Sequence, residues 1–327
     1  MMPENSISSF ESSLGNTSLL EVPNGGKNGR IFAKCEWENP TGSIKDRVAY
    51  HLINAFMEDR KNNTEEIKFL EYTGGSLGIS LALIANILDV KLKLVLSESS
   101  AASTVRRIKD LGAQLHFVEK EKGFLGVINA AKDIAANDPS WSFLYQHENR
   151  ANLLCHYNTT GVELVNQIPV NINAWVASIG TGGTLMGVYN RLTEHFPQAI
   201  LYATNPAELA YGDKAPPNSQ KKFSGSGGLG YGQKQRFVME NEDQVEKHFR
   251  ISYEECLSCM NDFYQREGIK IGSSSAANLI AARHISMDKG NTHCTATIFP
   301  ALATSEEWHD VERYIAAKHS STLVGMD

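Results

Sequence analysis

The hydrophobic pattern of the chain alternates between short strand-like runs and longer helical runs. Several of the short runs are apolar on both faces, which is typical of parallel strands that helices cover on each side. We predict strands over residues 30–35, 67–71, 91–97, 114–118, 174–179, 200–204 and 294–299.

Amphipathic runs lie between these strands. Over residues 43–60, Ile44, Val48, Leu52 and Phe56 recur every four positions, which is one face of a helix. Strands that alternate with helices predict an α/β protein with a mainly parallel sheet. The other predicted helices cover residues 77–88, 102–111, 124–136, 157–167, 184–195, 253–267 and 275–287.

One long stretch breaks this alternation. Residues 205–235 are rich in Gly, Pro, Ser and Lys, and a long loop in a compact domain is usually functional. We expect residues 207–232 to shape the mouth of a binding site. Residues 225–230 match G-x-G-x-x-G, but no clear strand precedes them and no clear helix follows. We interpret this match as a false dinucleotide fingerprint.

Length and composition exclude several classes of protein. The 327 residues allow two domains or one large unit, at roughly 150 residues per domain. The net charge of −6 argues against nucleic-acid binding, which usually needs a basic stripe. Five scattered cysteines fit a reducing cytoplasm. The chain start lacks the pattern of a signal peptide, and no apolar run is long enough to predict a transmembrane helix.

Four turns concentrate glycine, serine and threonine. They are residues 39–47 (NPTGSIKDR), 73–78 (TGGSLG), 180–184 (GTGGT) and 272–275 (GSSS). The middle two join a predicted strand to a predicted helix, where α/β sheets bind ligands. Backbone N–H groups at a helix start bind anions, and glycine permits close approach. One such turn is often only a tight connection, but four together favour an anion site. None has the spacing of a P-loop.

Lys45 stands in the first turn of the helix predicted over residues 43–60. Most lysines in such places are solvated surface charges. Both the helix dipole and burial would lower the pKa of this amine and favour the neutral form that Schiff-base chemistry needs. A lysine and a phosphate-binding turn are the least that a pyridoxal-phosphate site requires.

These residues resemble the cysteine synthase (O-acetylserine sulfhydrylase) and cystathionine β-synthase-like family of fold-type II pyridoxal-phosphate enzymes. NPTGSIKDR is similar to the family's N-P-x-G-S-x-K-D-R, and GTGGT to its phosphate loop. Residues 146–161 look like its Q-F-x-N-P-A-N … T-T-G segment, and residues 272–277 like its G-I-S-S-G-A-A. The resemblance implies a two-domain α/β fold like that of the tryptophan synthase β-subunit, with mainly parallel sheets covered by helices.

The resemblance also implies a role for individual residues. Lys45 would carry pyridoxal 5'-phosphate as a Schiff base and act as the catalytic base. Ser274 would face the pyridine nitrogen, where a neutral hydroxyl favours β-elimination and replacement. The phosphate would be held by Gly180, Thr181, Gly182, Gly183 and Thr184. The substrate would be bound by Thr73, Gly74, Gly75, Ser76, Leu77 and Gln146, with Ser76 also touching the cofactor.

The substrate loop over residues 73–78 departs from the family pattern T-S-G-N-T-G. Ser76 replaces an asparagine, while Gly74 and Leu77 replace hydroxyl residues. Backbone N–H groups of this turn could still form an anion site. We therefore expect a carboxylate subsite, and the identities of donor and nucleophile stay open. Residues 299–303 (FPALA) also lack the usual Pro-Asp-Gly/Ser stretch.

The expected reaction is β-replacement on an activated L-serine of the O-acetylserine type. Sulfide or a similar nucleophile would give L-cysteine or another β-substituted alanine. The altered loop leaves open a cystathionine β-synthase-like reaction, cysteine desulfhydration and diamino-acid synthesis. Threonine/serine dehydration and a non-catalytic family member are further alternatives.

The resemblance implies a smaller domain over residues 39–149 that bears the substrate loop. The larger domain, residues 1–38 plus 150–327, would bear the phosphate loop. We expect a cytoplasmic homodimer with small-molecule partners and with no metal, nucleic-acid or membrane partner. The CxxC at Cys256 and Cys259 lies in a predicted helix, and we interpret it as structural rather than metal-binding.

Overall fold

Two sheets form the framework of the protein in the computed structural model, which describes residues 7–24, 29–60, 66–209, 211–212 and 232–324, with side chains as far as residue 318. Its strands are β1 Leu19–Val22, β2 Arg30–Cys35, β3 Lys68–Tyr72, β4 Lys91–Ser97, β5 Gln114–Val118, β6 Ser142–Phe143, β7 Ala174–Ser178, β8 Ile200–Pro206, β9 Val245–Ile251 and β10 Cys294–Phe299.

Helices cover the faces of both sheets. They are α1 Ile7–Ser12, α2 Lys45–Asp59, α3 Ser76–Leu88, α4 Ala102–Asp110, α5 Gly123–Asn137, α6 Arg150–Cys155, α7 Gly161–Gln167, α8 Gly183–His195, α9 Arg236–Met239, α10 Tyr253–Glu267, α11 Ser273–Lys289 and α12 Ser305–Val324. A π-helical turn, His156–Thr160, joins α6 to α7.

The smaller sheet has the strand order β5-β4-β3-β6, and all its pairs are parallel. Its central strand β3 is buried on both faces, with Phe69, Leu70 and Tyr72 fully excluded from solvent. Helices α2 and α3 pack their apolar faces on one side of it, and α5 packs on the other. This two-sided burial explains why the strand is apolar throughout rather than alternating.

The larger sheet has the order β1-β2-β10-β7-β8-β9. Its pairs are parallel except for the antiparallel β1–β2 edge. Strands β7 and β10 lie at the centre and are buried at every position. Helix α11 packs on one face and α8 on the other. The chain crosses between strands through helices, which is the arrangement that parallel pairing requires.

The predicted fold class is confirmed, and each of the seven predicted strands is present with its ends shifted by two residues or fewer. The sequence patterns missed β1, β6, β9, α1, α9 and α12. Strand β6 has only two residues, and β9 is a partly exposed edge strand of charged and apolar residues. Neither carries the continuous apolar run of a central strand. The helix predicted over residues 157–167 begins instead as α6 at Arg150 and passes through the π-helical turn.

The smaller sheet takes its strands from residues 68–143 and the larger sheet from the segments on either side. The domain limits at residues 39 and 149 remain a prediction. Most of the loop predicted over residues 205–235, including the G-x-G-x-x-G match, lies outside the described residues. Cys256 and Cys259 lie in α10 and are buried in the core.

In the described part of the chain, no helix is both long and apolar enough to cross a membrane. The same residues contain no group of three or more His, Cys, Asp or Glu side chains that could hold a metal ion.

Candidate active site

A cavity of about 130 Å³ lies where the carboxyl ends of β3, β7 and β10 meet. This edge is where open α/β sheets bind ligands. The cavity brings together all the predicted site residues except Gly183, which lies within the same turn as its neighbours. They are Lys45, Thr73, Gly74, Gly75, Ser76, Leu77, Gln146, Gly180, Thr181, Gly182, Thr184 and Ser274.

A short turn places Lys45 at the start of α2 and at the cavity wall. Gly42 adopts φ +97°, a left-handed conformation that favours glycine. The Asp46 carboxylate accepts hydrogen bonds from the Thr41 N–H at 2.7 Å and from the Thr41 hydroxyl at 2.5 Å. The Ile44 N–H donates to the Pro300 carbonyl at 2.9 Å. The turn is therefore fixed both internally and to the end of β10.

The amine of Lys45 lies in an environment that favours its neutral form. Within the described residues, no side chain or carbonyl forms a hydrogen bond or ion pair with its Nζ. Burial lowers the pKa of Lys45, and the weaker opposing influence of Cys155 and Glu71 does not cancel that effect. A neutral amine facing a cavity can form a Schiff base or take up a proton.

A buried ion network anchors Arg47, two residues after Lys45. Arg47 donates to both Glu36 oxygens at 2.7 and 2.8 Å and to both Glu163 oxygens at 2.6 and 2.9 Å. Lys34 also pairs with Glu163, at 2.7 Å. Although burial opposes ionisation, these cations hold the pKa of Glu163 at about 2. The network ties α2 to β2 and α7.

The glycines of the turn before α8 have little space for a side chain. Gly182 adopts φ +85°, and a Cβ there would lie 2.7 Å from Val238 Cγ2. A Cβ on Gly183 would lie 2.4 Å from Asn152 Oδ1. The Thr181 hydroxyl accepts from the Gly183 N–H at 3.2 Å and from Asn152 Nδ2 at 2.9 Å. This turn exposes backbone at the positive end of a 13-residue helix, as anion sites do.

The second glycine turn, before α3, is held by Thr73. Its hydroxyl accepts from the N–H groups of Gly75 at 3.0 Å and Gly78 at 3.1 Å. Leu77 is only 3% exposed and packs into the core of the smaller sheet. Among the described residues, nothing accepts a hydrogen bond from the N–H of Gly74, Ser76 or Leu77. The altered loop therefore presents mainly backbone N–H groups to a ligand.

Gln146 lies beside this turn, and its backbone N–H bonds to a buried carboxyl group. Its backbone N–H donates to Glu71 Oε2 at 3.2 Å, and its side-chain Nε2 donates to the Tyr72 carbonyl at 3.1 Å. Glu71 is fully buried, and burial raises its pKa to about 8. The only sequence signal for Glu71 is a charged residue inside an otherwise apolar strand.

Ser274 also lines the cavity. Its neighbours in α11 are committed to structural bonds: the Ser273 hydroxyl donates to Glu307 at 2.5 Å, and the Ser275 hydroxyl donates to the Ala301 carbonyl at 3.0 Å. Within the described chain, the Ser274 hydroxyl has no such partner. Glu307 also lines the cavity, and burial raises its pKa. Sequence reasoning missed Glu307 because α12 itself was not predicted.

The comparisons with known proteins agree with this geometry. Residues 11–295 match the family described as pyridoxal-phosphate dependent enzyme. The chain is 33% identical to cysteine synthase A of Escherichia coli over 291 residues, which is 86% of this chain and 87% of the relative. It is 30% identical to cysteine synthase B of Campylobacter jejuni over 271 residues, 82% and 87% of the two chains. Among solved structures, the O-acetylserine-dependent cystathionine β-synthase of Helicobacter pylori superposes with a TM-score of 0.81 and 27% identity, covering 90% of this chain and 95% of that one.

Proposed function

Since the chain belongs to the family of pyridoxal-phosphate-dependent enzymes, we propose that it catalyses β-replacement on an activated L-serine such as O-acetyl-L-serine. The incoming group is sulfide or a similar small nucleophile, and the product is L-cysteine or another β-substituted alanine. The observation that carries this proposal is the Lys45 amine, which has no hydrogen-bond or ion-pair partner among the described residues and lies in a cavity with two glycine turns at helix starts. The names of the relatives supply the substrate class.

The residues of the cavity fit pyridoxal 5'-phosphate. We assign the Schiff-base amine to Lys45, the phosphate to residues 180–184, and the ring nitrogen to the Ser274 hydroxyl, with Ser76 near the ring. Val238 beside Gly182 and Asn152 beside Gly183 leave no room for a side chain at these two positions, which supports a phosphate site made of backbone N–H groups there. When bound, the cofactor supplies an electron-withdrawing ring that acidifies the α-hydrogen of the amino acid.

Lys45 performs the proton transfers in this proposal. Its neutral amine removes the α-proton while the β-acetate leaves with the bonding electron pair, and it later returns a proton to the α-carbon once the nucleophile has added. The amine must be unprotonated at the start, and its lowered pKa favours that form. Because acetate leaves before the nucleophile adds, the kinetics are ping-pong.

The substrate carboxylate is placed at the turn before α3. The N–H groups of Gly74, Ser76 and Leu77 are available there, and the positive end of the α3 dipole favours an anion. Gln146 borders the same space. Orientation of the carboxylate at this point leaves the α-hydrogen toward Lys45. We also propose a cytoplasmic homodimer, which rests on the family resemblance alone.

The proposed reaction predicts a burst of acetate. When purified holoenzyme is mixed with O-acetyl-L-serine without a nucleophile, we expect acetate release equal to about one molecule per active site, as in double-displacement kinetics. Addition of sulfide should then restore continuous turnover and yield L-cysteine, measured by chromatography.

The same assay separates the alternatives. Continuous formation of a 2-oxoacid without any nucleophile would favour a dehydratase or desulfhydrase. Turnover with homocysteine but not sulfide would favour a cystathionine β-synthase-like enzyme. A normal cofactor spectrum without consumption of any donor would contradict the proposed function.

Substitution of Gly182 by alanine is expected to weaken cofactor binding. The new Cβ must displace Val238 from 2.7 Å and must also adopt φ +85°. The matched control is Gly112→Ala, where φ is +86° but no atom lies within 4 Å of the added Cβ. Titration of the apoenzyme with pyridoxal phosphate should show at least tenfold weaker binding for Gly182→Ala, equivalent to about 1.4 kcal/mol. Equal affinities for the two variants would contradict the assignment of this turn.

A further inference from the structure

His147 is an imidazole in the cavity wall that the proposed reaction does not use. It lines the cavity beside Gln146 and is 7% exposed, so that most of the ring lies within the wall. The similar family segment, Q-F-x-N-P-A-N, has phenylalanine at this position. In this chain a ring that can form hydrogen bonds therefore stands where the family pattern has a hydrocarbon ring.

The orientation of the His147 ring is fixed by Tyr72. The Tyr72 hydroxyl and His147 Nδ1 are joined by a hydrogen bond of 2.5 Å. The two rings are also stacked, with centroids 5.4 Å apart and planes 23° apart. Phe124, which lines the cavity as well, packs against His147 at a centroid distance of 6.1 Å. Because Tyr72 is completely buried, this support does not depend on solvent.

His147 is a neutral group under ordinary conditions. Burial lowers its pKa to about 3, and the positive charges of Lys45 and Lys132 act in the same direction. A neutral imidazole does not bind a carboxylate by charge and does not serve as an acid near neutral pH. It acts as a hydrogen-bonding group of fixed direction.

The polar character of the substrate site differs from the family pattern on two sides. The turn before α3 lacks side-chain donors at Gly74 and Leu77 and has a shorter one at Ser76. In the proposed function its backbone N–H groups therefore bind the substrate carboxylate. The cavity wall also gains the imidazole of His147, next to Gln146. A substrate whose carboxylate lies at the helix start extends its β-substituent toward the remaining walls, one of which contains His147 and Phe124.

We propose that His147, held in place by Tyr72, is a specificity residue that hydrogen-bonds to the β-substituent of the amino-acid substrate. It selects donors whose leaving group carries an oxygen atom, such as an O-acyl ester, over donors whose leaving group has no comparable acceptor. This inference rests on the proposed function, because it concerns the donor of that reaction.

The test compares two donors that share the α-carbon chemistry. O-acetyl-L-serine has an ester oxygen, whereas β-chloro-L-alanine has only a halide. In holoenzyme with sulfide as nucleophile, His147→Phe should reduce kcat/KM for O-acetyl-L-serine about tenfold more than for β-chloro-L-alanine, as expected for loss of one hydrogen bond. His147→Gln, which keeps a donor and an acceptor, should recover part of that preference.

Two further variants separate specificity from structure. Tyr72→Phe removes the hydroxyl that orients the ring and should shift the ratio between donors in the same direction, by a smaller factor. His116→Phe is the matched control, because His116 is exposed on β5 and does not line the cavity, and it should leave the ratio unchanged. The urea midpoint of each holoenzyme reports on its fold independently of turnover.

Each outcome decides the matter. Equal losses of kcat/KM for the two donors in His147→Phe, which leave the ratio between the donors unchanged, would show a structural role and overturn the inference. If the wild type uses both donors and the ratio of their kcat/KM values is the same in His147→Phe, the proposed function stands and only this inference fails. A wild-type enzyme that uses neither donor overturns the proposed function and this inference together.

Discussion

The Lys45→Ala enzyme is expected to lose β-replacement activity by on the order of 10³-fold or more, because both proton transfers depend on this amine. It should also lose covalent attachment of the cofactor. Borohydride reduction of the wild-type holoenzyme, followed by peptide mass spectrometry, should place a pyridoxyl group on Lys45. The variant should bind pyridoxal phosphate only noncovalently.

The matched control for this experiment is Lys120→Ala. Lys120 has a side chain that is 68% exposed, and its substitution should change neither the reducible adduct nor the rate. A borohydride-stable adduct that persists in Lys45→Ala would assign the Schiff base to another lysine. Addition of a small primary amine to Lys45→Ala should restore part of the activity, since the missing function is that of a base.

The central strands and the glycine turns could be predicted from the sequence because their determinants are local. The alternation of apolar runs specifies β3, β7 and β10, and the position of Lys45 follows from one helical periodicity. The 39–47 turn is recognisable because Gly42 adopts a backbone conformation that few other residues tolerate. Helix α12, whose first turn contains Glu307, was not predicted from the local sequence pattern.

The buried charged groups were beyond prediction, since their surroundings come from distant segments. Glu71, Glu307 and Arg47 look like ordinary charged residues in the sequence, and charged residues are usually exposed. Their hydrogen-bond partners are distant in the sequence, such as Gln146 for Glu71, Ser273 for Glu307 and Glu163 for Arg47. His147 belongs with them: its sequence context favours packing or solvent exposure, and the hydrogen bond to Tyr72 across 75 positions shows where it lies.

The net charge of −6 has no bearing on how the site binds anions. The two turns proposed to bind anions expose backbone N–H groups at the starts of α3 and α8, so no surplus of lysine or arginine is required. The positive charge that does lie close to the site, on Arg47, is fully engaged with Glu36 and Glu163. Its task is to hold α2, and therefore Lys45, in place.

Arg47→Met is expected to lower the free energy of unfolding by about 3–5 kcal/mol, because it leaves two buried carboxylates without their shared cation. Arg236→Met is the matched control. Arg236 pairs with Glu148 and Glu240, but its side chain is 44% exposed, and exposed pairs contribute about 0–1 kcal/mol. Urea unfolding of the two apoenzymes at pH 7 measures the difference.

The loss in Arg47→Met should shrink as the pH falls. In the wild type the neighbouring cations lower the pKa of Glu163 to about 2, below the ordinary glutamate value of 4.5. The pair therefore stabilises the fold fully above that ordinary value and loses its contribution as the pH falls toward 2. The variant lacks this contribution from the start, so its deficit is largest near neutral pH and smaller at pH 4. A deficit below 1 kcal/mol at pH 7, or one that grows in acid, would show that the Arg47 network does not stabilise the fold in this way.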